Sequence, residues 1–276
     1  NYGIPYMITK TARILILVKT YPTLSKKYGE LVCTAGIQED GTWIRLYPIP
    51  FRLLEYEKRY SKYQWLEAKI IKNAKDPRPE SYFIADISSI KLLDKVDTKD
   101  KWAKRKALLS KAPVYDNLEE LIERANNNKL SLAIFKPKEI KEFKIKETSR
   151  EWNREKMNLI EQNIKQPDLF SSEEEKYKKE TFQLVKKIPY IFSYCFTDSK
   201  GKSSTLMIED WEIGQLYWNC LKNSGGDEHT ALKDVKDKYM NQFKEKDLLL
   251  FLGTTRQFHG RAKNPFVITG VFYPPK

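Results

Sequence analysis

"GELVCTAGIQEDGTWIRLYPI" (Gly29–Ile49) decides how the first half of this chain is read. Two β-prone runs, GELVCTAGI and TWIRLYPI, flank QEDG, and Asp40-Gly41 supplies the turn chemistry of a hairpin. Along the second run, period-two alternation puts Trp43, Arg45 and Tyr47 on one face and Thr42, Ile44 and Leu46 on the other. A Trp–Arg–Tyr row has two readings. It is a covered sheet face with the arginine lying along a ring, or a surface that stacks bases and holds phosphates.

Working outward, ARILILVKT upstream is a short apolar run of the kind that forms a buried strand. Downstream come the strand YQWLEAKII, a rigid DPRPE bend (Asp76–Glu80), and SYFIADISSIKLL, which holds one or two further strands. Short strands with Pro- and Gly-rich joints predict a small barrel or a strongly bent sheet. Two helices follow near 98–128, DTKDKWAKRKALLSK and DNLEELIERANNN, and then KLSLAIFKPKEIKEFKI as a strand with a basic extension. From 148 to 179 charge dominates and apolar periodicity ends after Ile164, which predicts a linker or exposed helical arm.

The last third reads as a hairpin around DSKGK, then a helix capped by Asp210 with Ile213, Leu216, Tyr217, Cys220 and Leu221 as its apolar stripe. A second amphipathic helix runs through Leu232, Val235, Tyr239 and Phe243, and the strands DLLLFLGT and PFVITGVFY close the chain. The expected fold class is α+β. A strand-rich, barrel-like N-terminal module covers 1–147, the charged arm 148–179, and a C-terminal α+β module 180–276.

Composition narrows the partners. Lys and Arg number 50 against 37 Asp and Glu, a net charge of +13, and aromatics reach 13%. The aromatic content argues for a folded chain, and the charge favours an anionic partner, nucleic acid first. Cys33, Cys195 and Cys220 lie far apart with no C-x-x-C pair, so a disulfide framework and a structural zinc site are not expected. No apolar run reaches transmembrane length, and the expectation is a cytoplasmic, bacterial protein with no membrane partner. Because the first residue is not Met, a few residues are expected to precede it.

Phosphate contacts are expected from Lys101, Lys104 and Arg105, spaced i, i+3, i+4 on a helix, and from Arg256, Arg261 and Lys263 in the acid-free segment Leu248–Lys276. His259 shares that segment, and its positive neighbours should depress its pKa. Trp43, Tyr47 and Trp211 are the candidates for stacking. No cofactor is expected on this reading. A metal-dependent nuclease is the alternative, with Glu67 and Lys69 in LEAKI and Asp76 or Glu80 as ligands for Mg²⁺.

QPDLF (Gln166–Phe170) resembles the bacterial sliding-clamp-binding pentapeptide, which implies an adaptor docking through Gln166, Leu169 and Phe170. Asp247 with LLLFLGT, a variable loop and FVITGVFY resembles the ending of PUA-like barrels, the group of ASCH, EVE and YTH domains. Ile268-Thr269-Gly270-Val271 carries the apolar-x-Gly-apolar signature, whereas Lys246 stands where the pattern has Gly. The resemblance, over 247–273, implies a pocket reading RNA or a modified base without chemistry of its own.

Overall fold

In the computed structural model, which describes residues 8–25, 29–165 and 183–276, the opening stretch is the expected antiparallel hairpin. Strand β3 (Gly29–Ile37) pairs with β4 (Trp43–Ile49). Its turn closes through Gln38 N–H to Thr42 O, and Asp40 Oδ1 accepts from Thr42 N at 2.9 Å. Gly41 sits at φ +86°, and a Cβ there would lie 2.3 Å from the Lys111 carbonyl oxygen. Gly41→Ala therefore combines backbone strain with a backbone clash, and chemical denaturation should show a loss of at least about 2 kcal/mol.

The hairpin is part of a closed ring. With β1 (Lys10–Lys19), β5 (Gln64–Lys72) and β6 (Ser81–Ile84), the order is β1-β3-β4-β6-β5, and β5 pairs back onto β1. All neighbours are antiparallel except β4 and β6. Short β2 (Thr23–Ser25) adds to β3, and β7 (Lys91–Lys95) adds to β5. Ile14, Ile16, Val32, Ile44, Leu46, Leu66 and Ile70 pack into one cluster inside the ring.

The continuous apolar run of β1 has a physical cause in this arrangement. Ile14 and Ile16 face the barrel interior, while Leu15 and Leu17 face outward and are also fully buried. What covers the outer face is the rest of the chain. Leu132, Ile134, Phe251 and Phe272 pack there against Leu15, Leu17, Trp43 and Trp65. Each such side chain removed from water stabilises the pairing by about 1.5–3 kcal/mol.

The helix α1 (Lys99–Leu109) departs from the expected regular turn at its start. Asp100, Lys101 and Trp102 are left-handed, at φ 50°, 52° and 65°, and Trp102 packs on Phe272 and Tyr273. After it come β8 (Val114–Tyr115), α2 (Leu118–Asn126) capped by Asn117, β9 (Leu132–Phe135) and β10 (Glu139–Glu147).

Residues 114–147 were expected in the N-terminal module, but their strands pair with the C-terminal ones. The helix α3 (Arg154–Lys165) precedes β11 (Tyr190–Thr197) and β12 (Ser203–Met207), and β10-β11-β12 form one sheet. Strands β13 (Leu249–Thr254) and β14 (Phe266–Phe272) make the order β14-β13-β9-β8. The KLSLAIFKPKEIKEFKI stretch is thus two strands broken at Lys136–Lys138, and each joins a different C-terminal sheet.

Helix α4 (Trp211–Asn223) is capped by Asp210 as expected, and α5 (Glu228–Lys236) runs on into a π-helical turn. Alternation on β13 sends Leu250 and Leu252 into the core with Phe192, Tyr194, Phe196, Tyr217 and Tyr239, and Phe251 toward the barrel. Two bridges join the sheets: Thr20 with Asp210, and Ile208 with Ile268. Among the described residues, no helix is long and apolar enough to cross a membrane.

Candidate functional site

Where barrel and hairpin meet, the row of strands leaves a cleft of about 330 Å³. Its floor runs from Arg45 and Tyr47 on β4 through Cys33 on β3 to Thr20, and then to Glu209 and Thr269. Backbone bonds hold that row together. Thr20 and Cys33 exchange a pair of bonds at 3.0 Å each, one of them through the Thr20 hydroxyl, and Tyr21 N donates to Glu209 O at 2.9 Å. Glu209 N in turn donates to Ile268 O at 2.8 Å. The far wall is the end of β13 and the loop after it, Thr254 to Gln257.

Three guanidinium groups line the cleft. Arg45 is 1% exposed, so its charge is almost wholly removed from water. One terminal nitrogen donates to the Ser131 carbonyl and hydroxyl oxygens at 3.0 Å, and the other to Cys33 Sγ at 3.2 Å. Ser131 donates its N–H and hydroxyl to Glu80, at 2.8 and 2.6 Å, so the nearest carboxylate is one side chain removed. Arg45 Nε has no partner among the described residues. Burial lowers the pKa of Arg45.

Arg78 is held differently. Its Nε and Nη2 grip both oxygens of Asp76, at 2.9 and 2.6 Å, and its Nη1 donates to Thr254 O at 2.8 Å. Burial pushes the Asp76 carboxyl up, but the bonds from Arg78 and Ser81 outweigh it and hold the pKa at about 2. The guanidinium lies 5.9 Å from the Tyr47 ring, which is half-buried at the mouth. Arg256 is exposed on the rim and donates to Lys75 O at 2.7 Å.

Against these stands one lining carboxylate. Glu209 is half-buried, accepts no hydrogen bond on its side chain among the described residues, and has a pKa raised by burial alone. The Thr255 hydroxyl is also buried without a partner among those residues. A buried group left unpaired costs about 1–3 kcal/mol, and the Arg45 Nε and the Thr255 hydroxyl both stand so beside the cleft among the described residues.

His259 supports the wall rather than the cleft. Its Nδ1 accepts from Thr254 Oγ1 at 3.0 Å and its Nε2 donates to Asn128 Oδ1 at 2.8 Å, the pattern of a neutral imidazole. Burial, and then the charge of Arg78, lowers its pKa. Its side chain ties the basic loop to the turn after α2. Arg261 and Lys263 are exposed on the same loop as Arg256.

Other expected residues fall elsewhere. Trp43 is 9% exposed and meets Phe251 edge-on, so the alternation on β4 was right while the C-terminal strands cover that end of the face. Lys101 reaches the Lys276 carbonyl and Lys104 pairs with Asp97 at 3.3 Å. Arg105 stacks 3.8 Å from the Tyr63 ring and donates to Val96 O. The left-handed start of α1 breaks the i, i+3, i+4 row that would have grouped them. Trp211 lies half-buried against Phe51, with Lys19 over its ring.

For the nuclease alternative, Glu67 pairs with Lys91 at 3.3 Å and Lys69 is exposed on the same strand. Asp76 and Glu80, expected as metal ligands, have their oxygens taken by Arg78, Ser81 and Ser131. No cluster of three potential metal ligands exists among the described residues. Gln166, Leu169 and Phe170 lie outside the described residues. Arg78, Glu209 and Thr255 had no motif to announce them. An arginine between two prolines was the one local hint.

Two family models divide the chain at the end of α1. One, described as Domain of unknown function (DUF8758), matches residues 10–111. The other, described as Domain of unknown function (DUF8757), matches residues 114–276. No curated protein matches the chain.

Proposed function

The chain belongs to the family whose model spans residues 114–276, a family defined by no activity, and from the cleft we propose that it binds nucleic acid and reads an unpaired or modified base. The observation that carries this is a cleft lined by Arg45, Arg78 and Tyr47 with the exposed Arg256 at its edge. Inside, the Arg78 guanidinium lies 5.9 Å from the Tyr47 ring, and the Glu209 carboxylate lines the same space with no hydrogen-bond partner among the described residues. Bases taken out of a helix are read in this manner, by bonds to their pairing edge and by stacking. Outside, Arg256, Arg261 and Lys263 are exposed on one loop for the phosphates.

The barrel supports the same reading by analogy of fold. In five-stranded Greek-key barrels of the oligonucleotide-binding type, the face of the second and third strands binds the ligand. Here the second and third strands of the ring are β3 and β4, which supply Cys33, Arg45 and Tyr47 to the cleft. On this reading the β13–β14 hairpin, the part that resembles PUA-like barrels, is the second wall of the pocket. Binding of this kind needs no metal or cofactor.

The test is fluorescence anisotropy with labelled single-stranded, bulged and flush DNA and RNA at several salt concentrations. Affinity should fall linearly with salt on logarithmic axes. Arg256→Ala with Arg261→Ala should weaken every sequence alike and reduce the salt slope by about one for each phosphate no longer neutralised. Absence of binding at about 50 mM salt, or an affinity indifferent to salt, overturns the proposal.

A further inference from the structure

We propose that Phe258 is a wedge that enters the base stack beside an everted nucleotide; this rests on the nucleic-acid reading above and names the residue that opens the helix. Phe258 is 48% exposed, the one large apolar side chain left so far in water between β13 and β14. A single exposed apolar residue is ordinary on a protein surface. Two further observations set this one apart: its backbone is fixed, and its surroundings are cationic.

Successive turns hold the backbone. Phe258 N and His259 N both donate to Thr255 O, at 3.2 and 2.9 Å, and Phe258 O accepts from Arg261 N and Ala262 N, each at 3.0 Å. The His259 ring is tied to Thr254 on one side and Asn128 on the other. Gly260 supplies the positive φ, +66°, that this reversal needs. A wedge requires such a frame, because a floppy loop would lose to ordering what the ring gains by stacking.

Arg256, Arg261 and Lys263 are exposed on the same loop, and none meets a carboxylate among the described residues. Arg261 and Phe258 stand at the two ends of one turn, and Thr254 to Gln257, directly before Phe258, wall the cleft. The matching ligand carries anionic groups around an apolar layer. Duplex nucleic acid does so, with phosphates outside and stacked bases within, and proteins that open it insert apolar side chains between base steps. Everting a nucleotide into the cleft leaves a gap of one base, which the ring fills. An anionic membrane offers the same two features, but one ring buries too little apolar area to hold a protein there.

The measurement uses the full chain, a duplex with one bulged nucleotide and 2-aminopurine as the neighbouring base, and the matching single strand. The wild type should brighten 2-aminopurine on binding, as its stack opens. Phe258→Ala should leave it dark and bind the bulged duplex about tenfold or more weakly. Its salt slope should be unchanged, since no charge is removed, and its single-strand affinity should stay within about twofold. Phe258→Trp should restore both signals, and unchanged melting temperatures show that the fold is intact. Phe258→Ala that matches the wild type on the bulged duplex overturns the inference, and so does an equal loss on the single strand. A loss seen only with phosphatidylserine-containing vesicles overturns it in favour of a membrane. These three results leave nucleic-acid binding standing. A wild type that binds none of the nucleic acids overturns the function proposed for the cleft as well.

Discussion

Asp76→Ala is expected to lower stability by about 3–5 kcal/mol, because it leaves the Arg78 guanidinium buried without its counter-charge. Asp76 and Arg78 are each 4% exposed, and solvent cannot replace the missing partner. The damage reaches beyond the pair. Arg78 Nη1 holds the Thr254 carbonyl at 2.8 Å, so the same guanidinium fastens the β5–β6 bend to the end of β13 and closes one side of the cleft. Urea denaturation at neutral pH measures the loss. Asp76→Ala with Arg78→Met, which removes both charges, should recover part of it.

The pH dependence follows from the depressed carboxyl. Its pKa, about 2, is below the ordinary 3.8, so the stabilisation is present above pH 4 or so and is lost as pH falls through 2. Integrated over that window, it amounts to about 2–3 kcal/mol. The wild type should weaken across it, and the Asp76→Ala variant should lack this share of the weakening. A single variant that loses less than about 1 kcal/mol would mean that the pair is not a buried one in solution.

How much of this was legible beforehand depends on the range of the interactions. The β3–β4 hairpin was, since Asp40-Gly41 and the flanking alternation are local signals. So was the α4 cap, where Asp210 Oδ1 accepts from Glu212 N at 3.2 Å. The side of β4 that carries Trp43, Arg45 and Tyr47 was also correct. Its covering was not, because Phe251 and Ser131 come from strands far along the chain. The aromatic alternation of β11, in contrast, reads as a core face from the sequence, and Phe192, Tyr194 and Phe196 are buried against α4 and the π-turn.

The boundary near 148 rested on composition, and charge density at 148–165 does not report how β10 pairs with β11. The cleft was the least legible feature. Cys33, Arg45, Arg78, Glu209 and Thr255 belong to five separate segments, and each looks ordinary in its own. What brings them together is long-range packing that only the assembled neighbours reveal. The loop TTRQFHGRAKN could be singled out for its charge, yet its histidine serves as a brace between Thr254 and Asn128.

Lys62→Met should cost about as much as Asp76→Ala, roughly 3–5 kcal/mol, and should also uncouple the two halves of the molecule. The Lys62 side chain is 6% exposed and leaves the barrel to meet Asp210 at 2.8 Å and Glu212 at 3.0 Å, at the N-terminus of α4. Burial pulls its ammonium pKa down, but the two carboxylates outweigh this and hold it above the ordinary value. A raised lysine stabilises fully below its unfolded pKa, near 10.5, and the contribution is lost only as pH rises toward the folded value. Neutral buffers therefore see all of it.

With methionine at 62, Asp210, fully buried, keeps its helix-capping bond and loses its counter-charge. Adding Asp210→Asn removes the charge and keeps a capping side chain, so the double variant should regain stability relative to Lys62→Met alone. Because the pair ties the barrel to α4, its removal should split one denaturation transition into two, read separately by tryptophan fluorescence and by far-ultraviolet circular dichroism. One coincident transition within about 1 kcal/mol of the wild type would show that the apolar interface of Leu15, Trp43, Phe251 and Phe272 couples the halves without this pair.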